Sequence, residues 1–260
     1  MKQAYQCEIV KKERLDHEVF KLFFKIPEGM DPILPGQFFN LVASESGFTY
    51  LRRPISVSLV EDGCFELTIK ILGKGTKLLY EKAVGDTVDL LGPLGNGFFY
   101  NEVNEKSLII GGGIGISPMK ELARYLKEEY QVEPPVILGY REETFDIEDF
   151  SRFSSKIEIA TESGCQGHKG YVTPLIEEHL KRGDIERVYV CGPHVMLNSV
   201  HQLCSQYKVE TQLLMEERMA CGIGACLVCT CAIKEEEGIE NKRVCKDGPV
   251  FYGSEVVFDV

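Results

Sequence analysis

Cys221, Cys226 and Cys229 fall within nine residues, and Cys245 follows after a gap of fifteen. Four thiolates in a C-x4-C-x2-C…C order can wrap a plant-type [2Fe-2S] cluster, and the chemistry of such a cluster is one-electron transfer. Gly222 and Gly224 let the loop turn tightly and aim backbone N–H groups at the sulfurs, which tunes the potential. Zinc also takes four cysteines, but usually from two short Cys pairs rather than from three ligands crowded into one loop. The residues alone favour iron–sulfur and leave zinc or unligated thiols as alternatives. A fifth nearby cysteine, Cys231, is read as a spectator.

The elements that position this loop must come from the rest of a 260-residue chain. That length suits two compact domains plus an appended module. Five of the ten cysteines lie between Cys221 and Cys245, which fits metal ligation in a reducing compartment better than a disulfide framework. Cys7, Cys64, Cys165 and Cys204 are read as buried or idle thiols. No signal-peptide pattern opens the chain, and its longest apolar run, around Leu108 to Ile116, is too short to span a bilayer. A cytoplasmic protein with no membrane partner is therefore expected. A formal charge of −11 and the lack of a basic arm argue against a nucleic-acid partner.

Residues 5 to 100 alternate short β-type runs with turn signals at Pro35-Gly36, Asp62-Gly63 and Gly85-Asp86, the pattern of an antiparallel β-barrel. From Ser107 the period changes. A buried strand, Leu108-Ile109-Ile110, runs into Gly111-Gly112-Gly113-Ile114-Gly115, and Ser117 as N-cap with Pro118 at the first helical position predicts a helix to about Tyr130. Strands near 136–139, 156–160, 187–191 and 210–215, with helices starting near Thr173-Pro174 and Pro193, complete an α/β half with a parallel sheet. Glu235-Glu236-Glu237 reads as a solvated turn. The expected fold class is β + α/β: a barrel over 1–101, a parallel-sheet dinucleotide-binding domain over 102–212 and a small C-terminal cluster module over 213–260.

Three further segments carry chemistry. Backbone amides of Gly111 to Gly115, between a strand and a helix N-terminus, can approach a pyrophosphate; the alternative is a plain tight turn. Arg52-Arg53-Pro54-Ile55-Ser56 sets fixed cations and a hydroxyl at a strand edge, where a guanidinium can clamp phosphate and Ser56 can hydrogen-bond a ring nitrogen; the alternative is a surface basic pair. Gly73-Lys74-Gly75-Thr76 is either a hairpin turn or a second set of phosphate-directed amides.

Taken in order, Arg-Pro-x-Ser, Gly-Lys-Gly-Thr, Gly-Gly-Gly-Ile-Gly-Ile-Ser-Pro, Cys-Gly-Pro-x-x-Met at Cys191 to Met196, and Glu-x-x-Met-Ala-Cys-Gly-x-Gly-x-Cys-x-x-Cys from Glu216 resemble the ferredoxin–NADP reductase superfamily. Within it, the chain is most similar to the electron-transfer subunits of class 1B, NAD-dependent dihydroorotate dehydrogenases. The resemblance implies FAD in the barrel, with Arg53 on the pyrophosphate, Pro54, Ile55 and Ser56 along the flavin and Ser56 near its N5. It also implies Lys70, Ile71 and Leu72 along the isoalloxazine and Gly75 and Thr76 on phosphate. Gly111, Gly112, Gly113 and Gly115 with Cys191, Gly192 and Pro193 would hold NAD, Cys191 lining the hydride-transfer pocket. Cys221, Cys226, Cys229 and Cys245 would hold the [2Fe-2S] cluster.

An acidic residue at a strand end accepts ribose hydroxyls and repels a 2′-phosphate; Glu162 is the candidate, so NAD is expected rather than NADP. A one-electron cluster, a flavin and a nicotinamide together make a wire with a two-electron terminus. The five histidines, His17, His168, His179, His194 and His201, form no Ser–His–Asp or metal-spaced constellation, so a partner must supply electrons. The resemblance implies an FMN-containing dihydroorotate dehydrogenase catalytic subunit, two copies of each chain in a heterotetramer. The rival readings are the flavin and [2Fe-2S] subunit of a ferredoxin:NADP oxidoreductase or sulfide dehydrogenase, and a non-catalytic redox sensor.

Overall fold

The β-type runs of the first hundred residues close on themselves, which removes the exposed sheet edges that an open sheet of short strands would leave. In the computed structural model, which describes residues 3–44, 49–101 and 103–258, β1 (Gln3–Arg14), β2 (Val19–Lys25), β3 (Phe38–Leu41), β4 (Arg53–Glu61), β5 (Cys64–Lys70) and β6 (Thr87–Leu94) form a closed antiparallel barrel in the order β1-β2-β5-β4-β3-β6. Phe20, Phe24, Phe39 and Phe65 fill it with Leu22, Leu67 and Ile69. Gly73-Lys74-Gly75-Thr76 is not a hairpin turn: it opens helix α1 (Lys74–Glu81). Thr76 Oγ1 accepts hydrogen bonds from the N–H groups of Leu72 at 3.0 Å and Gly73 at 3.2 Å, which closes the first turn.

The second half holds β7 (Ser107–Gly112), α2 (Ile116–Tyr130), β8 (Val136–Tyr140), α3 (Ile147–Ser151), β9 (Ile157–Thr161), β10 (His168–Lys169), α4 (Thr173–Arg182), β11 (Arg187–Cys191), α5 (His194–Gln206) and β12 (Glu210–Leu214). After the cysteine loop come the hairpin β13 (Thr230–Glu235) and β14 (Gly238–Arg243), turning at Glu236-Glu237, and then β15 (Val250–Tyr252). The seven-stranded sheet runs β10-β9-β8-β7-β11-β12-β15, parallel except for the antiparallel β12–β15 edge. The chain that follows the cysteines thus returns to the dinucleotide sheet and ties the loop to its edge. Residue 102, where the sequence reading starts the second domain, lies outside the described residues.

Ser117 does not cap α2. A 3-10 turn over Gly113–Gly115 winds the chain early, Gly115 becomes the N-cap, and Ser117 and Pro118 sit in the first helical turn. Gly111 and Gly112 belong to β7 itself, not to the turn.

Barrel and sheet meet across a buried ionic seam. Lys120 of α2 is fully buried, with Nζ 2.7 Å from Glu66 Oε1 on β5 and 3.1 Å from Asp149 Oδ2 on α3. Lys21 of β2 lies 2.6 Å from Asp146 Oδ1 and 2.7 Å from Asp149 Oδ2. Charges withdrawn from water this far are tolerable only when paired, so the seam fixes how the two halves face each other. Among the described residues no helix is long and apolar enough to cross a membrane.

Candidate cofactor sites around one cavity

A cavity of about 870 Å³ opens between the β4–β5 side of the barrel and the carboxyl ends of β7 and β11. Strand order reverses between β7 and β11: the chain proceeds through β8, β9 and β10 on one side, then through β11 and β12 on the other. Such a switch point is where open α/β sheets leave a crevice for ligands.

On the barrel side the cavity is lined by Arg53, Pro54, Ile55, Ser56, Lys70, Leu72 and Thr76. The two neighbouring arginines part company. Arg52 donates to Asp89 Oδ1 at 2.6 Å and to the Asn40 carbonyl at 3.1 Å, so it braces the barrel. Arg53 pairs with no carboxylate among the described residues; its guanidinium donates to the Leu51 carbonyl and lies across Gly75, where any Cβ would collide with it. A cation held against the N-terminal turn of α1 is a fitting cradle for the pyrophosphate of a flavin dinucleotide. Ile71 faces away and packs on the barrel core. Gly75 is buried behind Arg53, and the Thr76 hydroxyl is engaged in the helix cap.

On the sheet side Gly115, Cys191, Gly192 and Pro193 line the same cavity. A Cβ on Gly115 would come within 2.7 Å of Gly192 N, so this glycine lets the two strand-to-helix turns touch. Gly111 and Gly112 instead make room for Ile116 and Met196, while Gly113, at φ +56 with open space around it, presents its backbone to solvent. Ser117 Oγ is buried at the start of α2 with no hydrogen-bond partner among the described residues, a polar atom at the cavity that a bound nucleotide would satisfy. Cys191 is held as a neutral thiol: burial raises its pKa strongly and the Glu216 carboxylate adds to the effect. Glu162 follows β9, exposed, its N–H bonded to the Tyr140 carbonyl at 3.1 Å and its side chain outside the cavity. The sequence reading missed Phe38, Ile114, Ser117 and Glu216 to Met219 as lining residues; Glu216-x-x-Met219, directly before the cysteines, is the signal that was available.

The Glu216 to Met219 segment leads from this cavity into the cysteine loop. There Gly224 N donates to Cys245 Sγ at 3.1 Å, Ala225 N to Cys221 Sγ at 3.3 Å and Cys245 N to Cys229 Sγ at 3.5 Å. Burial opposes ionisation of Cys221, yet the amides of Ile223, Ala225 and Cys226 and the Cys226 thiol outweigh it and hold the Cys221 thiol down at about 6. Cys245 is pushed up to about 12 by burial and by Cys229. The side-chain contacts join Cys221 to Cys226 and Cys229 to Cys245, and Cys245 also feels Cys221. One zinc would gather all four within about 3.8 Å of one another, given Zn–S bonds of about 2.3 Å, but no three of them lie mutually within 4.8 Å among the described residues. Two pairs suit two irons. Cys231 is buried on β13, its thiol pushed up to about 11 by burial and by Glu217. Arg243, bidentate to Asp247 at 2.8 and 3.0 Å, also donates to the Gly224 carbonyl at 3.2 Å and braces the loop.

Known proteins match this arrangement region by region. The oxidoreductase FAD-binding domain family matches residues 6–100, the oxidoreductase NAD-binding domain family residues 109–202, and the iron-sulfur cluster binding domain of dihydroorotate dehydrogenase B residues 216–257. The dihydroorotate dehydrogenase B (NAD(+)) electron transfer subunit of Caldanaerobacter subterraneus subsp. tengcongensis is 38% identical over 258 residues, 99% of this chain and 100% of that protein. Its counterpart from Clostridium acetobutylicum is 36% identical over 260 residues, 100% of both chains. Among solved structures, an NADH-dependent reduced ferredoxin-NADP oxidoreductase superposes with a TM-score of 0.82 at 29% identity, covering 98% of this chain and 91% of that one. A ferredoxin reductase of carbazole 1,9a-dioxygenase, at 24% identity and TM-score 0.68 over 80% of this chain and 67% of that one, shares the fold. The chain belongs to the family of dihydroorotate dehydrogenase B electron transfer subunits, oxidoreductase components with FAD-binding, NAD-binding and iron–sulfur domains.

Proposed function

We propose that this chain carries electrons from the FMN of a dihydroorotate-oxidising catalytic subunit to NAD+, in a cytoplasmic complex of two copies of each subunit. The observation that carries the reading is the convergence of Arg53, the Gly115–Gly192 turn contact and the Glu216 to Met219 segment on one cavity, from which the chain runs directly into the four-cysteine loop. A flavin held there would supply the exchange between one-electron transfer from the cluster side and hydride transfer on the nicotinamide side. Arg53 and the N-terminal turn of α1 would hold and neutralise the flavin pyrophosphate. Ser56 supplies a hydroxyl at the flavin edge, and Cys191, kept neutral by burial, offers a small polarizable wall that neither repels nor attacks a nicotinamide ring. Among the described residues His179 pairs with Glu158, His17 with Glu143, His201 with Thr211 and His194 with the Glu216 carbonyl. In this reading substrate oxidation belongs to the partner subunit.

In the complex rebuilt with its catalytic subunit, Cys226→Ala should abolish both the cluster signal and dihydroorotate-to-NAD+ turnover, while Cys231→Ala keeps both. Turnover that survives loss of the cluster would refute the route. The 29% identity to the ferredoxin-NADP oxidoreductase supports a second reading, in which a ferredoxin partner replaces the dihydroorotate-oxidising subunit. Partner identity separates the two; on nucleotide choice, Glu162→Ala should raise the NADPH-to-NADH activity ratio, and an unchanged ratio removes the carboxylate from nucleotide selection.

A further inference from the structure

Asn40, on β3 of the barrel, is fully buried, and neither its Nδ2 nor its Oδ1 has a hydrogen-bond partner among the described residues. Natural chains rarely bury an amide unpaired, so its surroundings indicate what completes it. A Cβ added to Gly222 would come within 2.6 Å of Asn40 Nδ2 and 3.3 Å of Leu94 Cδ1. Gly222 has φ +71, so the cysteine loop crosses the amide in a conformation, and at a distance, that suit glycine alone. Beneath the side chain the backbone is anchored by Arg52, whose guanidinium donates to the Asn40 carbonyl. Asn40 pairs with Pro54 across β3 and β4, and Phe38, two residues earlier on the same face of β3, lines the flavin cavity. The amide therefore sits where the barrel separates the cysteine loop from that cavity.

We propose that Asn40 donates an Nδ2–H hydrogen bond to a sulfur of the cluster held by Cys221, Cys226, Cys229 and Cys245. This rests on the [2Fe-2S] reading of the cysteine loop. Cluster sulfurs only accept, and the amides of Gly224 and Ala225 already face Cys245 and Cys221 from within the loop. Asn40 adds a donor from outside it, so a flavin-domain residue sets part of the cluster potential. Because a donor to sulfur favours the more negative, reduced state, removing it lowers the potential.

The test is pulsed electron paramagnetic resonance on reduced full-length protein labelled with 15N-asparagine, with EPR-monitored redox titration of the wild type, Asn40→Leu and Asn40→Asp. A 15N coupling to the cluster in the wild type that disappears in Asn40→Leu supports the bond. At the wild-type midpoint both variants should show about a tenfold lower reduced-to-oxidised ratio, about 59 mV for one electron, with the flavin potential unchanged. An intact cluster with no 15N coupling would overturn the proposal, and the labelled wild type decides this even if the variants fail to fold. A wild type with no [2Fe-2S] signal would instead overturn the cluster reading itself.

Discussion

At the seam between barrel and sheet, Lys120 is wholly enclosed by Glu66, Asp146 and Asp149, whereas in the cysteine loop Ile223, Leu227 and Val228 are exposed beside an exposed Cys226. Both regions bring charge or potential charge together, but only the seam finds its counter-charges within the chain. It is complete as folded. In the proposed site the loop gathers four sulfurs and the Asn40 amide toward a cluster bound from outside the chain. On the proposed reading the scaffold should hold without the electron carriers, and the loop, whose metal binding would double as local folding energy, should depend on them.

Breaking the seam should have the largest effect. Lys120→Met leaves buried carboxylates short of a counter-charge and should cost about 3–5 kcal/mol of stability, read from urea unfolding of the flavin-loaded protein. A loss well under 1 kcal/mol would mean that the seam is no more than a surface pair. Stripping the iron sharpens the other side of the comparison. Amide exchange across 221–229 should speed up by about tenfold or more, about 1.4 kcal/mol of local opening, while β7 and β11 stay protected; a uniform loss of protection would show that seam and loop form one cooperative unit. The smallest effect is acid sensitivity. Burial opposes ionisation of Asp149, but Lys120 and Lys21 outweigh it and hold the carboxyl down from 3.8 to about 2. A carboxyl depressed in the folded state stabilises above its unfolded pKa and loses that contribution as protons bind. Stability at the seam should therefore decline between about pH 4 and pH 2, and Asp149→Asn should flatten that limb of the profile.

The same contrast explains what could be read from the sequence. Cysteine spacing, the glycine-rich strand end and the shift from period 2 to helical spacing are local patterns, and each leads to a feature of the fold. The closed barrel, the parallel sheet and the helices opening near Thr173 and Pro193 follow from them. Features made by distant residues were not legible. β1 buries little beyond Cys7 and Ile9, so its pattern is faint. Lys120, in a helical run of mixed charge, gives no sign that it will meet Glu66 from the barrel. Ser117 satisfies the pattern of an N-cap, but the 3-10 turn at Gly113–Gly115 starts the helix before it. Asn40 is an ordinary polar residue in a β-type run until the cysteine loop, some 180 residues later, crosses over it.

The most direct measurement is an anaerobic visible and electron paramagnetic resonance spectrum of the isolated chain, taken before and after NADH, with dihydroorotate added alone and then with the FMN subunit. Electron transfer as proposed predicts that NADH bleaches the flavin and yields a rhombic reduced [2Fe-2S] signal, and that dihydroorotate does so only once the partner is present. A colourless protein carrying zinc, or reduction by dihydroorotate without the partner, would contradict it.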